Sequence, residues 1–235
     1  MNETKPLVSV LMSVRNDEGN ISTAIESILK QTYKNFEFLI IDDFSDDSSF
    51  EIINGYQKQD KRIKVYRNTK KIGLTKSLNK LINYSQGEYI ARQDSDDISR
   101  KNRIELQLKI LEGNKLDACT TRAVRKNSSK KIPGKSFFIP KKISIKYKNP
   151  FIHGTLLISR KAIDELGHYD ERFFYSQDYK LFSDLLKRGL KIKSINSVLY
   201  ELNTCNNIST NFSTEQKYYA DCVKKNIIPD ERYLD

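Results

Sequence analysis

Asp94, Asp96 and Asp97 stand within four residues of one another in "YIARQDSDDISR". Carboxylates this close repel unless a cation or strong donors neutralise them, so the stretch reads as a metal site or as a solvated loop. Two more polar groups follow apolar runs in the same way. Arg15 to Asp17 come after "LVSVLMSV", and Asp42 and Asp43 come after "FEFLII".

These groups must be placed by the elements before them. "LVSVLMSV" and "FEFLIIDD" are nearly continuous apolar runs with β-branched residues, the mark of strands buried on both faces. Between them, Ile21, Ala24, Ile25, Ile28 and Leu29 recur at helical spacing, which makes a βαβ unit. The alternation goes on through a helix near 46–58, a strand "RIKVYRN", a helix from Leu74 to Tyr84 after Gly73, and a strand "GEYIARQ". A twisted sheet with helices on both faces follows, with ligands bound outside the carboxyl ends of its strands. The acidic groups fall at those ends, which favours a shared polar ligand over chance loop charge. Further on, the pattern predicts a helix over 100–112, a strand "DACTTRAV", and a long excursion or flap across the basic, proline-containing stretch 122–148. "FIHGTLLISR", a helix start at Lys161 and the turn "GHYDERF" come next. The helix of "YSQDYKLFSDLLKRG" has Asp178 in its first turn and Gly189 as its stop. A polar run from about Thr204 precedes a short helix.

The chain has 235 residues and a net charge of +11. The excess is local: Ala118 to Ile163 hold 12 Lys or Arg and no acidic residue, leaving the rest near neutral. Such a stretch is either a solvated lysine-rich surface or a face for phosphates or anionic lipid headgroups. No apolar run is long enough to span a bilayer and the N-terminus lacks the pattern of a signal peptide, so a cytoplasmic protein is expected. Cys119, Cys205 and Cys222 are far apart and in no metal-ligand spacing, and read as reduced thiols.

In order, "VSVLMSVRND", "FEFLIIDDFSDD", "GLTKSLNKLI", "GEYIARQDSDDIS", "NPFIHGTLLISRKAIDELGHYDERFF" and "SQDYKLFSDLLKRG" resemble the family 2 glycosyltransferases of GT-A fold. The resemblance runs from residue 7 to about 200. It implies an α/β fold with a single mixed, mainly parallel sheet flanked by helices. Residues 1–203 would form the transferase domain, with a nucleotide-binding half to residue 97 and an acceptor half over 98–203; 204–235 would be a C-terminal extension. The implied reaction is an inverting, Mn²⁺- or Mg²⁺-dependent transfer of a sugar from a nucleotide diphosphate to a hydroxyl of a glycan or lipid-linked acceptor. Asp94-Ser95-Asp96 matches the family's DxD, with Asp96 as main metal ligand and Asp94 on the ribose or a metal-bound water. Asp97 reads as a helix-entry residue. Asp43 matches the position that accepts a hydrogen bond from uracil, favouring a UDP-sugar donor. Ser13 and Arg15 match the base-contacting end of the first strand, where an aromatic residue is common at position 15, and Lys76 is within reach of the diphosphate.

Inversion needs a base on the far face of the sugar, and Asp178 matches it, although Gln177 replaces the usual glutamate before it. His153 matches an acceptor-side position together with Gln177. Asp42 and His168 read as structural, and Phe173, Phe174 and Tyr175 as a platform for a sugar ring or as core. The basic stretch 122–148 would contact anionic membrane or a pyrophosphate-linked acceptor. Other classes fit less well. A nucleic-acid binder would need base-stacking aromatics that the basic stretch lacks. A dinucleotide-dependent dehydrogenase would need a GxGxxG after the first strand, where "RNDEGN" stands. A phosphotransferase using an aspartyl nucleophile would have no need of Asp178.

Overall fold

The computed structural model describes residues 5–203 and 213–230. Its amino-terminal half alternates β1 (Val8–Val14), α1 (Ile21–Leu29), β2 (Phe36–Asp42), α2 (Ser49–Gln59), β3 (Ile63–Arg67), α3 (Leu74–Tyr84) and β4 (Tyr89–Arg92). The second half carries β5 (Ile98–Ser99), α4 (Arg103–Gly113), β6 (Ala118–Arg125), β7 (Lys131–Ile132), α5 (Lys141–Ser144) and β8 (Leu157–Ser159). It ends with α6 (Arg160–Leu166), α7 (Gln177–Lys187), β9 (Ile192–Leu202) and α8 (Ser213–Lys225). One sheet runs β3-β2-β1-β4-β8-β6-β9-β5, with β7 beside β6. β1 to β4 pair in parallel, and the sense changes at β4, which is parallel to β1 and antiparallel to β8. This is the expected α/β fold with a mixed sheet.

Alternation along the buried strands feeds two core layers. Val8, Val10, Met12 and Val14 of β1 join Phe38 and Ile40 of β2 against α1, Ile53 of α2 and Ile104 and Leu108 of α4. Leu11, Leu39 and Ile41 point the other way, onto Leu78 and Leu81 of α3 and Leu181, Phe182 and Leu185 of α7. The parallel register Val14↔Asp42 and Asp42↔Arg67 aligns the carboxyl ends of β1 to β3 on one rim. α8 packs Tyr219, Cys222 and Val223 on Phe173 and Tyr179. Cys119 and Cys222 are buried free thiols, and burial pushes Cys119 up to about 12; Cys205 lies outside the described residues.

Three expectations change. The stretch 122–148 is not one excursion: β6 runs through Arg125 and pairs with β7, and Arg122 is buried, donating to the Asn196 Oδ1 and the Pro133 carbonyl. That arginine therefore belongs to no basic surface. Asp97 enters no helix, since it precedes β5 and α4 begins after Asn102. The helix expected at Lys161 begins at Arg160, because Ser159 caps it through the Ala162 N–H.

Candidate active site

Asp43, just past β2, is buried among donors. Its Oδ1 accepts from the Asn68 Nδ2 and the Ile72 N–H, both at 2.9 Å, and its Oδ2 accepts from the Gly73 N–H at 2.8 Å. The carboxylate thus ties β2 to the loop entering α3, where Gly73 turns at φ +87°. Since a carboxylate oxygen has two acceptor positions, one on Oδ2 is left over. Arg15 lies exposed across the same rim, donating to the carbonyls of Asp43 and Phe44 at 3.1 and 3.2 Å. Ser13 is half-buried at the end of β1, and Lys76 is exposed on the first turn of α3. Asp42 accepts from the Ser45 N–H and from Arg67, a structural role as expected.

The DxD loop rests on two buried arginines. Arg92, fully buried at the end of β4, donates to the Leu11 carbonyl at 2.7 Å and to Asp94 Oδ1 at 2.5 Å. Beneath it, Arg103 of α4 donates to the carbonyls of Arg92 and Gly154. Burial brings Arg103 down to about 10, still cationic at neutral pH. The Asp94 N–H donates to the Tyr200 hydroxyl at 3.0 Å. Gly154 leaves no room for a side chain, since a Cβ there would lie 2.4 Å from the Tyr200 hydroxyl and 2.5 Å from Asp94 Oδ2.

Asp96 differs from its neighbours. No side-chain donor among the described residues reaches it; burial and the charges of Asp94 and Asp17 push it up to about 7. An uncompensated carboxylate beside two others suits a hard divalent cation that keeps places open for phosphate oxygens or water. Among the described residues no group of three or more His, Cys, Asp or Glu encloses such an ion; of these residues, Asp96 and Asp94 are the ones that could hold it. Asp97 is buried and accepts from the Asn203 N–H at 2.7 Å. Burial raises it, the charges of Asp94 and Asp96 raise it further, and the Asn203 and Tyr200 donors offset this in part. It ties the loop to the residue that follows β9.

Asp178 lies in the first turn of α7. Its Oδ2 accepts from the Asn149 Nδ2 at 2.6 Å and its Oδ1 from the Tyr179 N–H at 2.8 Å. Burial holds its pKa above the ordinary carboxylate value, against those two donors, and the charge of Asp94 adds to the rise. Asp178 and the DxD loop therefore lie within electrostatic reach of one another. Tyr169 is close enough to feel the charges of Arg92, Asp178 and Asp94, and its hydroxyl is 2.7 Å from His153 Nε2. Burial and the nearby Arg92 hold His153 well below the usual imidazole value, so it is neutral. Gln177 is buried at the start of α7. Phe173 is core, whereas the Phe174 ring packs over Gly73. A cleft of about 360 Å³ opens onto Asp178, walled by Tyr147, Lys148 and Asn149 on one side and by Gln216, Lys217 and Lys224 of α8 on the other.

With this geometry in place, comparison with known proteins decides the family. The model of glycosyl transferase family 2 matches residues 9–167. The chain belongs to glycosyl transferase family 2. It is 33% identical to an uncharacterized glycosyltransferase of Methanocaldococcus jannaschii over 205 residues, 83% of this chain and 70% of that one. It is also 33% identical, over 81% of this chain and 73% of the relative, to the Escherichia coli UDP-Glc:alpha-D-GlcNAc-diphosphoundecaprenol beta-1,3-glucosyltransferase. The fold matches the mannosyltransferase of Pyrobaculum calidifontis, solved with GDP-Man and Mn²⁺, at a TM-score of 0.75. That match covers 97% of this chain and 67% of the other at 15% identity.

In this family 2 chain Asp94 lies near enough to both Asp96 and Asp178 to raise their proton affinity, and the residues that hold these carboxylates were not foreseen. Arg92, Asn149 and Tyr169 lie inside the stretches that carry the resemblance but have no role assigned there, and Arg103 and Tyr200 lie outside them. The one available signal was an arginine inside the apolar run "YIARQ", since a buried charge there demands a partner. The match to family 2 ends at residue 167, before Asp178, Tyr200 and α8.

Proposed function

We propose that this glycosyltransferase moves a sugar, with inversion, from a UDP-sugar to a hydroxyl of a glycan or lipid-linked acceptor used in cell-surface polysaccharide synthesis. The observation that carries this reading is that an acidic loop at the strand rim lies within electrostatic reach of a separate carboxylate, Asp178, whose proton affinity is raised. The first suits the departing diphosphate and the second the incoming hydroxyl. The Escherichia coli relative, named for UDP-Glc and a diphosphoundecaprenol-linked sugar, supports the donor and acceptor classes. The remaining acceptor position on Asp43 Oδ2 supports uracil, whose imide N–H can fill it.

In this reading Asp96, with Asp94, would hold Mg²⁺ or Mn²⁺, which when bound offsets negative charge on the leaving diphosphate. Arg92, itself buried, fixes the partly exposed Asp94 by an ion pair, so the loop is preorganised before donor arrives. Ser13 and Arg15 flank the base, and Lys76 faces the phosphates. Asp178, aimed by Asn149, takes the proton of the acceptor hydroxyl as it attacks the anomeric carbon. A raised pKa brings that proton transfer nearer to balance at neutral pH. His153 and Gln177 line the acceptor side, the first as a neutral partner of Tyr169.

Calorimetry and transfer assays on Asp96→Asn and Asp178→Asn test the assignment. The first should lose metal-dependent affinity for the UDP-sugar; the second should keep it and lose turnover. An Asp178→Asn enzyme that still transfers sugar at the native rate would overturn the role given to Asp178.

A further inference from the structure

The segment from Gly134 to Asn149 has inverted polarity. Phe138, Ile143 and Tyr147 are 74%, 52% and 72% exposed, and Ile139 is exposed beside them, while Ser144 is buried with no hydrogen-bond partner for its hydroxyl. A segment shaped only by folding would bury the isoleucine and show the serine to water. Backbone hydrogen bonds of helical type continue from Pro140 to Lys148, so Ile143 and Tyr147, four residues apart, lie on one side. The inner side is pinned. Phe137 sits between Arg122 and Lys141, 4.9 and 4.8 Å from its ring centre, and the Tyr179 hydroxyl donates to the Ile145 carbonyl. The outward apolar side is therefore held in place. Around it stand the exposed Lys135, Lys142, Lys146 and Lys148, with no acidic residue between Ala118 and Ile163.

We infer that Phe138, Ile139, Ile143 and Tyr147 insert into the interface of an anionic lipid bilayer, with the surrounding lysines on its headgroups. Apolar side chains ringed by lysines match a surface that is apolar within and negative at its face. A second copy of this face would bring like charges together, and no helix among the described residues is long and apolar enough to cross a membrane. Docking would also set the acceptor site. Tyr147 lies on the apolar face and also walls the cleft over Asp178, and Asn149, at the end of the segment, hydrogen-bonds that carboxylate. A lipid-linked acceptor would then enter the cleft from the bilayer it is anchored in. This last step rests on the role proposed above for Asp178, whereas the docking does not.

The full chain contains no tryptophan, so Phe138→Trp supplies a single reporter. With vesicles of phosphatidylcholine containing phosphatidylglycerol, and no nucleotide present, its emission should shift to the blue; with phosphatidylcholine alone it should not. Phe138→Ser with Ile143→Ser should lower vesicle partitioning at least about tenfold, and Lys142→Glu with Lys146→Glu should remove most of its salt dependence. On a lipid-linked acceptor in vesicles the serine pair should lower kcat/KM, while turnover of a short soluble acceptor stays unchanged. Protein that pellets with vesicles while the tryptophan reporter keeps its aqueous emission overturns the inference. So does lipid-free self-association abolished by the serine pair, which would make the partner a second copy. Vesicle binding without any sugar transfer would sustain the docking and refute only the enzymatic reading.

Discussion

Asp178 is held by one side-chain amide and one backbone N–H, yet burial keeps its proton affinity above that of an exposed aspartate. Two outcomes follow from that sign. As a base it works only when ionised, so kcat/KM should fall on acidification with a midpoint above the ordinary carboxylate value, measured in a pH–rate profile. A folded-state pKa above the unfolded one means that the group's favourable contribution is fully present below the unfolded value and lost as pH rises through the folded value. At neutral pH the buried charge therefore weakens the fold. Asp178→Asn should raise Tm while lowering kcat by about a hundred- to ten-thousand-fold. His153 is expected to contribute no inflection at the usual imidazole pKa of about 6.5, because it is already neutral there. At Asp96 the missing donors point to cation-dependent stability: Mn²⁺ with UDP should raise Tm of the native chain and not of Asp96→Asn.

Among the elements, the turn at Gly154 is as demanding as any helix. Ala in its place would drive a methyl into the Tyr200 hydroxyl and Asp94, so Gly154→Ala should cost about 1–3 kcal/mol and weaken donor binding. Gly55, inside α2 with nothing within 4 Å, is the control: Gly55→Ala should stabilise by about 0.5–1 kcal/mol. Chemical denaturation of both variants checks the pair. α3 was legible in the sequence to its ends, because Gly73 and the Leu78, Leu81 and Ile82 pattern mark it. The carboxylates were legible because each follows an apolar run. The contacts that place them were not. Tyr200 meets Asp94 across 106 residues and Asn149 meets Asp178 across 29, and neither pairing leaves a periodic trace. The basic stretch misled for a related reason: charge density says nothing about which cation is turned inward, and Arg122 is.

For the whole molecule, α8 closes a core that would otherwise end in water. Removing residues 204–235 would uncover Phe173 and Tyr179 and take away the Lys217 and Lys224 wall of the cleft. The shortened chain should melt lower and bind a hydrophobic dye, while the Asp43 network, made within residues 43–73, should persist. The overall α/β order was readable from alternating apolar runs, but the reversal at β4 was not, since a four-residue strand does not announce the direction of its neighbours. In the proposed reaction that reversal divides labour within one continuous sheet. The β1 side of it would carry the nucleotide contacts, while the β8 side would carry Asp178 and also braces the DxD loop through Arg103 and Tyr200. Loops beyond β4 that make none of these braces, such as the segment 134–149, can thus diverge without disturbing the earlier strands, so one nucleotide cradle can serve many different recipients.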